Sequence, residues 1–229
     1  MKIWQLMKLH YVYLFSRKNI IAIIVCFLIA LGISLYSWLD NATLALPSEQ
    51  VIELSWQSIF TFDKLIIHIV AIFIMGNFCL PENDQYYCLF IFRNTSRNKF
   101  FLIKMLVLTM IIVLFVGLLI LTFMISGYTL NHYFVMSWSY LKAFIYCLVA
   151  SLSFGYLTVC LVKLFPTVMS IIISVIAFLA SDVMEGEVTI LPIVTSEFLK
   201  NSTVISFILM IIVMVFYFFI AIMVNFAKK

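Results

Sequence analysis

The residues with the most evident chemistry lie in one short polar segment, 82–99. Acids stand at its start, aromatic and apolar side chains fill its middle, and Arg and Lys stand at its end, an order that suits a helix dipole. Tyr86, Leu89, Phe90 and Arg93 are spaced i, i+3, i+4 and i+7, so they would share one face of a short helix. We expect an amphipathic helix that presses this face on a partner or on a membrane. The alternative is a solvated loop whose cations only fix orientation.

Groups for covalent, acid–base or metal chemistry are sparse. The sequence contains no GxSxG, HExxH, CxxC or GxxxxGK[ST] motif, so no hydrolase, zinc, redox or nucleotide site is predicted. His10, His68 and His132 are isolated, and we interpret them as packing or surface residues. An intramembrane enzyme that uses His68 and His132 is a weaker hypothesis. We therefore expect a non-enzymatic chain that holds neither a metal nor a cofactor of its own.

The composition assigns the chain to the membrane proteins. It is 66% hydrophobic and 10% charged, whereas soluble domains are about 45–50% apolar and about 25% charged. Its mean hydropathy is +1.20. The net charge of +4 is placed around the apolar stretches, so it serves membrane orientation and does not indicate nucleic-acid binding. The five cysteines are dispersed and odd in number, which favours packing residues over disulfides.

The apolar stretches predict an all-α integral membrane protein with six transmembrane helices. Each helix needs about 20 residues to cross a bilayer, and the runs are continuously apolar, unlike the alternating strands of a membrane barrel. The span cores contain no Asp, Glu, Lys or Arg, so no ion-coupling site is expected in them. The predicted spans are 20–38, 65–81, 101–126, 140–162, 167–181 and 203–226, and the outer segments between them include 39–64 and a re-entrant-like 182–200.

The placement of Lys and Arg predicts that both termini are cytoplasmic. If the N-terminus is inside, eleven of the fourteen basic residues lie on the inner side, and only Lys64, Lys142 and Lys200 lie outside. The acids show the opposite bias, because only Glu82 and Asp84 are then inside. Six spans return the C-terminus to the same side as the N-terminus.

Residues 1–18 predict an interfacial helix at the inner membrane surface. On a helical wheel its aromatic and apolar residues share one arc, and Lys2 and Lys8 lie on the other. Trp and Tyr suit the headgroup level, and Lys suits anionic lipid. The residues assigned to this interfacial segment are Trp4, Met7, Tyr11, Arg17 and Lys18.

This arrangement resembles a type-2 ABC exporter permease, the transmembrane subunit of a bacterial ABC transporter. The local match is an acid after span two, an apolar stretch, a Ser-Arg pair and a Lys that opens span three. Here Glu82, residues 89–91, Ser96-Arg97 and Lys104 stand in that order. The resemblance covers the whole chain, 1–229, as a single permease domain.

The resemblance implies a coupling helix at 82–99 that docks on a separate cytoplasmic ABC ATPase, which would bind ATP and Mg. It also implies pairing with a second permease chain, as a homodimer or heterodimer, in the bacterial plasma membrane. A nearly uncharged pathway favours hydrophobic or amphipathic cargo, with peptides such as toxins or antimicrobial peptides ahead of lipid-like molecules. A non-transporting scaffold or sensor that recruits a cytoplasmic partner is the alternative. The implied coupling residues are Glu82, Asp84, Tyr86, Leu89, Phe90, Arg93, Ser96, Arg97 and Lys104.

Overall fold

The fold is all-helical over the residues that the computed structural model describes, which are 3–14, 17–43, 48–79, 97–131, 138–183 and 204–227. No strand occurs within these ranges, and the predicted all-α class is confirmed. The helices are α1 (Ile3–Leu14), α2 (Arg17–Ala42), α3 (Ser48–Phe78), α4 (Arg97–Asn131), α5 (Trp138–Leu164), α6 (Thr167–Val183) and α7 (Val204–Ala227).

Five helices, α2 to α5 and α7, are long and apolar enough to cross a membrane. They cover the predicted spans one to four and six, and they are typical of a multi-pass membrane protein. The predicted fifth span corresponds to α6, which has 17 residues. At 1.5 Å per residue α6 is roughly 26 Å long, shorter than the hydrocarbon core of about 30 Å. It follows Pro166, whose missing N–H is not needed at a helix start.

The largest departure from the predicted boundaries is in α3. Residues 39–64 were expected as an outer segment before a span that begins at Leu65, but α3 begins at Ser48 and continues for 31 residues. The helix begins earlier than predicted because several polar residues of this stretch share one exposed face, which is compatible with a continuous helix. The exposed residues of this face, each four positions after the last, are Glu49, Glu53, Gln57 and Thr61.

The other helix ends differ from the predicted ones by a few residues. The last three residues of the predicted coupling helix, 97–99, belong to the first turn of α4. The start of the predicted outer segment 182–200 belongs to the last turn of α6, and residues 184–200 lie outside the described ranges. α2 begins at Arg17 and therefore includes the end of the predicted interfacial segment.

Helix α5 is the central helix of the bundle. It packs against α3, α4, α6 and α7. In its most apolar 18-residue window 78% of the residues are buried inside the chain, compared with 17% for α2 and α7. The apolar side chains of α2 and α7 therefore mostly face away from the rest of the chain.

Hydroxyl groups connect neighbouring helices across the bundle. Such hydrogen bonds are a common way in which Ser and Thr stabilise helix contacts in a membrane. The three pairs are Ser34 with Ser126 at 2.7 Å (α2 to α4), Thr109 with Tyr156 at 2.8 Å (α4 to α5), and Thr158 with Ser174 at 2.8 Å (α5 to α6).

An aromatic cluster closes one end of the bundle around Trp56 of α3. The Trp56 ring centroid lies 4.4 Å from that of Tyr140 and 5.3 Å from that of Phe123. The start of α3 is also joined to the end of α2, since the Asn41 side-chain amide donates to Ser55 Oγ at 3.2 Å. We call this the distal aromatic cluster, and its members are Trp38, Trp56, Phe60, Phe123, Tyr140 and Phe144.

Candidate functional site

The opposite end of the bundle brings together α1, the end of α3, the start of α4 and the end of α5. His10 of α1 is 3% exposed. Its ring centroid lies 4.5 Å from that of Phe100 at the start of α4 and 5.9 Å from that of Phe78 at the end of α3. Phe78 lies 22 positions after Trp56 along α3, so the two ends of the bundle are roughly 33 Å apart.

Two lysines are buried at this end among aromatic rings. Lys104 Nζ lies 5.0 Å from the ring centroid of Phe78, and Lys163 Nζ lies 5.8 Å from that of Phe101. The two side chains are only 3% and 5% exposed. An ammonium group is attracted to the face of an aromatic ring, and its aliphatic stem packs on apolar neighbours. We call His10, Phe78, Phe100, Phe101, Lys104 and Lys163 the basal cluster.

The basal cluster includes residues at both helix ends that the connection between α3 and α4 joins. Phe78 ends α3, and Phe100 lies in the first turn of α4. His10 joins both helices to α1, and Lys163 joins α4 to α5. Because the interior of a protein is close-packed and resists compression, a displacement of this connection would act on four helices together.

Only part of the predicted coupling segment falls within the described residues. The predicted positions from Glu82 to Ser96, which include Asp84, Tyr86, Leu89, Phe90 and Arg93, lie outside them. Arg97 is the first residue of α4, and Lys104 lies two helical turns further on. Burial of Lys104 against Phe78 places it inside the basal cluster.

The interfacial residues are divided between two helices. Trp4 and Tyr11 belong to α1, and Trp4 is 74% exposed. Met7 packs against the hydrophobic core of the bundle. Arg17 and Lys18 form the start of α2. The sequence analysis placed His10 on a surface helix, but α1 packs against α4 and buries it.

His68 has the environment of a packing residue. Its ring is stacked on Phe178 of α6 with a centroid distance of 4.3 Å, and its Nδ1 lies 2.7 Å from the Lys64 carbonyl oxygen. Cys147 Sγ of α5 lies 4.0 Å from the same nitrogen. His132, its partner in the enzyme hypothesis, is outside the described residues. In the part of the chain that is described, no group of three or more His, Cys, Asp and Glu side chains could hold a metal ion.

The sequence analysis missed a pair of buried ionisable residues in α3. Asp63 and Lys64 are 2% and 9% exposed, and both lie within one of the five candidate spans. They were expected in an outer segment and outside the span cores, but they belong to this long helix and are buried inside the bundle. The sequence does contain a signal, because Asp63 lies midway between Ile59 and Ile67 on a buried stripe of period four.

Comparison with known proteins identifies no relative of this chain. No family model matches the chain, and neither does any curated protein or solved structure.

Proposed function

We propose that this chain is the membrane-spanning half of an ATP-driven exporter whose energy comes from a separate cytoplasmic ATPase. Two such halves, identical or paired with a related chain, enclose the pathway in the bacterial plasma membrane. The cargo is hydrophobic or amphipathic, and we favour peptides, including toxins or antimicrobial peptides whose removal gives immunity. The chain itself is not catalytic, and ATP and Mg are bound by the partner.

The basal cluster is the observation that carries this proposal. A permease half must convert a push from its ATPase into movement of several helices at once. The connection between α3 and α4 emerges where His10, Phe78 and Phe100 hold α1, α3 and α4 together. A partner that docks on residues 82–99 would therefore move the bundle as a unit. In this scheme Lys104 positions the helix ends, and the preceding segment makes the docking contacts.

The charges of the described helices support an orientation in which the basal cluster lies at the cytoplasmic side of the membrane. Lys99, Lys104 and Lys163 lie at the basal end, whereas Asp40, Glu49 and Glu53 lie near the distal aromatic cluster. By the positive-inside rule, this distribution supports a basal end on the cytoplasmic side. With α6 as a sixth span, shortened but accommodated by local thinning of the bilayer, both termini are cytoplasmic.

Helices α2 and α7 supply the surfaces for lipid and for the second half. Large apolar side chains on both helices are exposed in the single chain, among them Leu28, Ile212 and Phe216. α7 contains no Asp, Glu, Lys or Arg over its 24 residues. A pathway formed at such faces would favour apolar cargo over sugars or ions.

The test is purification of the tagged chain from its own host in mild detergent. The proteins that co-purify with it are identified by mass spectrometry, and the preparation is assayed for ATPase activity. We expect a stoichiometric P-loop ATPase that is lost in Arg97→Glu and in Arg93→Glu. The matched control is Lys142→Glu, which reverses a charge near the other end of α5, roughly 32 Å from Lys163.

The outcomes separate the exporter half from the alternative. Loss of the ATPase in Arg97→Glu but not in Lys142→Glu supports the proposal. Recovery of the folded chain with a partner that lacks nucleotide chemistry would instead establish the scaffold or sensor. An ATPase that binds all three variants equally would exclude a coupling role for residues 82–99.

A further inference from the structure

Asp63 is an acid enclosed in the interior of the bundle. Its side chain is 2% exposed, and its Oδ1 atom is buried without a hydrogen-bond partner. The other acids whose side chains are described, Asp40, Glu49 and Glu53, are all exposed. An ionisable residue inside a membrane-spanning helix is costly, so its presence there indicates a function.

Apart from Lys64 and His68, the buried residues within two turns of Asp63 along α3 are apolar. Ile59, Phe60, Ile67 and Val70 lie within two turns of it, and all are buried members of the main hydrophobic core. A carboxylate that is taken out of water without a partner loses its hydration and gains nothing in return, whereas the protonated acid carries no charge to bury. The surroundings therefore favour a carboxyl group that holds a proton.

Few other ionisable groups lie near Asp63. On α3 itself these are Lys64 and His68, and on α5 the thiol of Cys147 lies within electrostatic range. The remaining charged residues of the helices packed against α3 lie at or near helix ends. They are Arg17, Lys18 and Asp40 in α2, Arg97, Lys99 and Lys104 in α4, Lys142 and Lys163 in α5, and Asp182 in α6.

A proton fits this site better than a metal cation does. Hard cations such as Ca²⁺ and Mg²⁺ need about six oxygen ligands, whereas a proton needs one oxygen atom. No cluster of three or more metal-ligating side chains is present in the described residues.

We propose that Asp63 is an exchangeable proton-binding site in the interior of the bundle. The carboxyl group holds a proton while α3 is packed as it is here, and releases it when a rearrangement of α3 against its neighbours admits water. Acid therefore favours the closed packing and alkali the opened one. For a single proton the ratio of the two states changes by at most about tenfold per pH unit. This inference does not depend on the exporter proposal.

The first test is infrared spectroscopy of the purified full-length chain in lipid nanodiscs at neutral pH. We expect the carbonyl stretch of a protonated carboxylic acid in the wild type and in Glu49→Gln, an exposed acid in the first turn of the same helix. The band should be lost in Asp63→Asn and in Asp63→Leu, two neutral variants of different shape. A wild-type chain without the band, or a band that persists in a folded Asp63 variant, would overturn the proposal.

The second test measures whether the proton is linked to opening. Amide hydrogen exchange of α3 is followed from acidic to alkaline pH in the wild type and in Asp63→Asn, and the ratio of the two rates cancels the intrinsic pH dependence of exchange. We expect this ratio to rise with pH by up to about tenfold per unit. A ratio that is independent of pH would show that α3 opens without releasing a proton, and would exclude the exchangeable site.

Discussion

Three helices approach one another closely at Gly76, and this leads to a quantitative prediction. A Cβ atom added at Gly76 would lie 2.7 Å from Ile171 Cγ1 and 3.2 Å from Thr158 Cγ2. These atoms belong to α6 and α5, so a single hydrogen on Gly76 lets three helices meet. Both neighbours are β-branched and therefore have few alternative rotamers, and Thr158 is fully buried. Small residues serve the same purpose at other helix contacts in membranes.

The expected effect of Gly76→Ala is the balance of two opposing contributions. Alanine stabilises a helix relative to glycine by about 0.5–1 kcal/mol. Forcing a methyl group into a close-packed site costs about 1–3 kcal/mol. We therefore expect Gly76→Ala to lower the free energy of unfolding by about 1 kcal/mol.

Two other glycines provide matched controls for helix propensity. A Cβ atom at Gly32 of α2 or Gly117 of α4 would meet nothing within 4 Å. Gly32→Ala and Gly117→Ala should therefore stabilise the chain by about 0.5–1 kcal/mol. The difference between Gly76→Ala and either control isolates the cost of overpacking, which we place at about 1–3 kcal/mol.

The assay is reversible unfolding in mixed micelles, in which the SDS fraction is raised and helix content is followed by circular dichroism. Ile171→Ala removes the side chain that a Cβ at Gly76 would meet, so it should partly rescue Gly76→Ala and give a favourable coupling energy in a double-mutant cycle. If Gly76→Ala were as stabilising as Gly32→Ala, the close approach of α3 and α6 would be refuted.

Three further predictions use the same unfolding assay. Ser34→Ala and Ser126→Ala should each lower the free energy of unfolding by about 0.6 kcal/mol. The double variant should lose little more than either single variant, because each single variant already removes the same hydrogen bond between α2 and α4. Additive losses would argue against this contact. Trp56→Ala should lower the free energy of unfolding by about 3–5 kcal/mol. Trp138 is 72% exposed, so Trp138→Ala should change it by no more than about 0.5 kcal/mol. Equal losses would contradict the central position of Trp56 in the distal aromatic cluster. Lys104→Met keeps the aliphatic stem but removes the charge over the Phe78 ring. We therefore expect the free energy of unfolding to fall by about 0.5–2 kcal/mol. Lys99 is exposed, and Lys99→Met should not show this loss.

The sequence determined those features that depend on local composition. A run of apolar residues long enough to cross a bilayer is a property of the chain itself, because backbone hydrogen bonds within lipid must be satisfied inside the segment. The class, the approximate positions of five apolar helices and the start of α6 after Pro166 therefore follow from the residues alone. The character of the segment 82–99 and of its coupling residues stays a prediction.

Tertiary packing decided which polar residues are buried. His10 was expected on a surface helix, Asp63 in an outer segment and Lys104 at the start of a span, yet each is at most 3% exposed. Their burial depends on which face of a helix meets α3, α4 or α5, and that choice is made by side chains far away along the chain. A helical period gives the direction of each side chain around its own axis, but only the neighbouring helices determine whether that direction leads to solvent, to lipid or to the core.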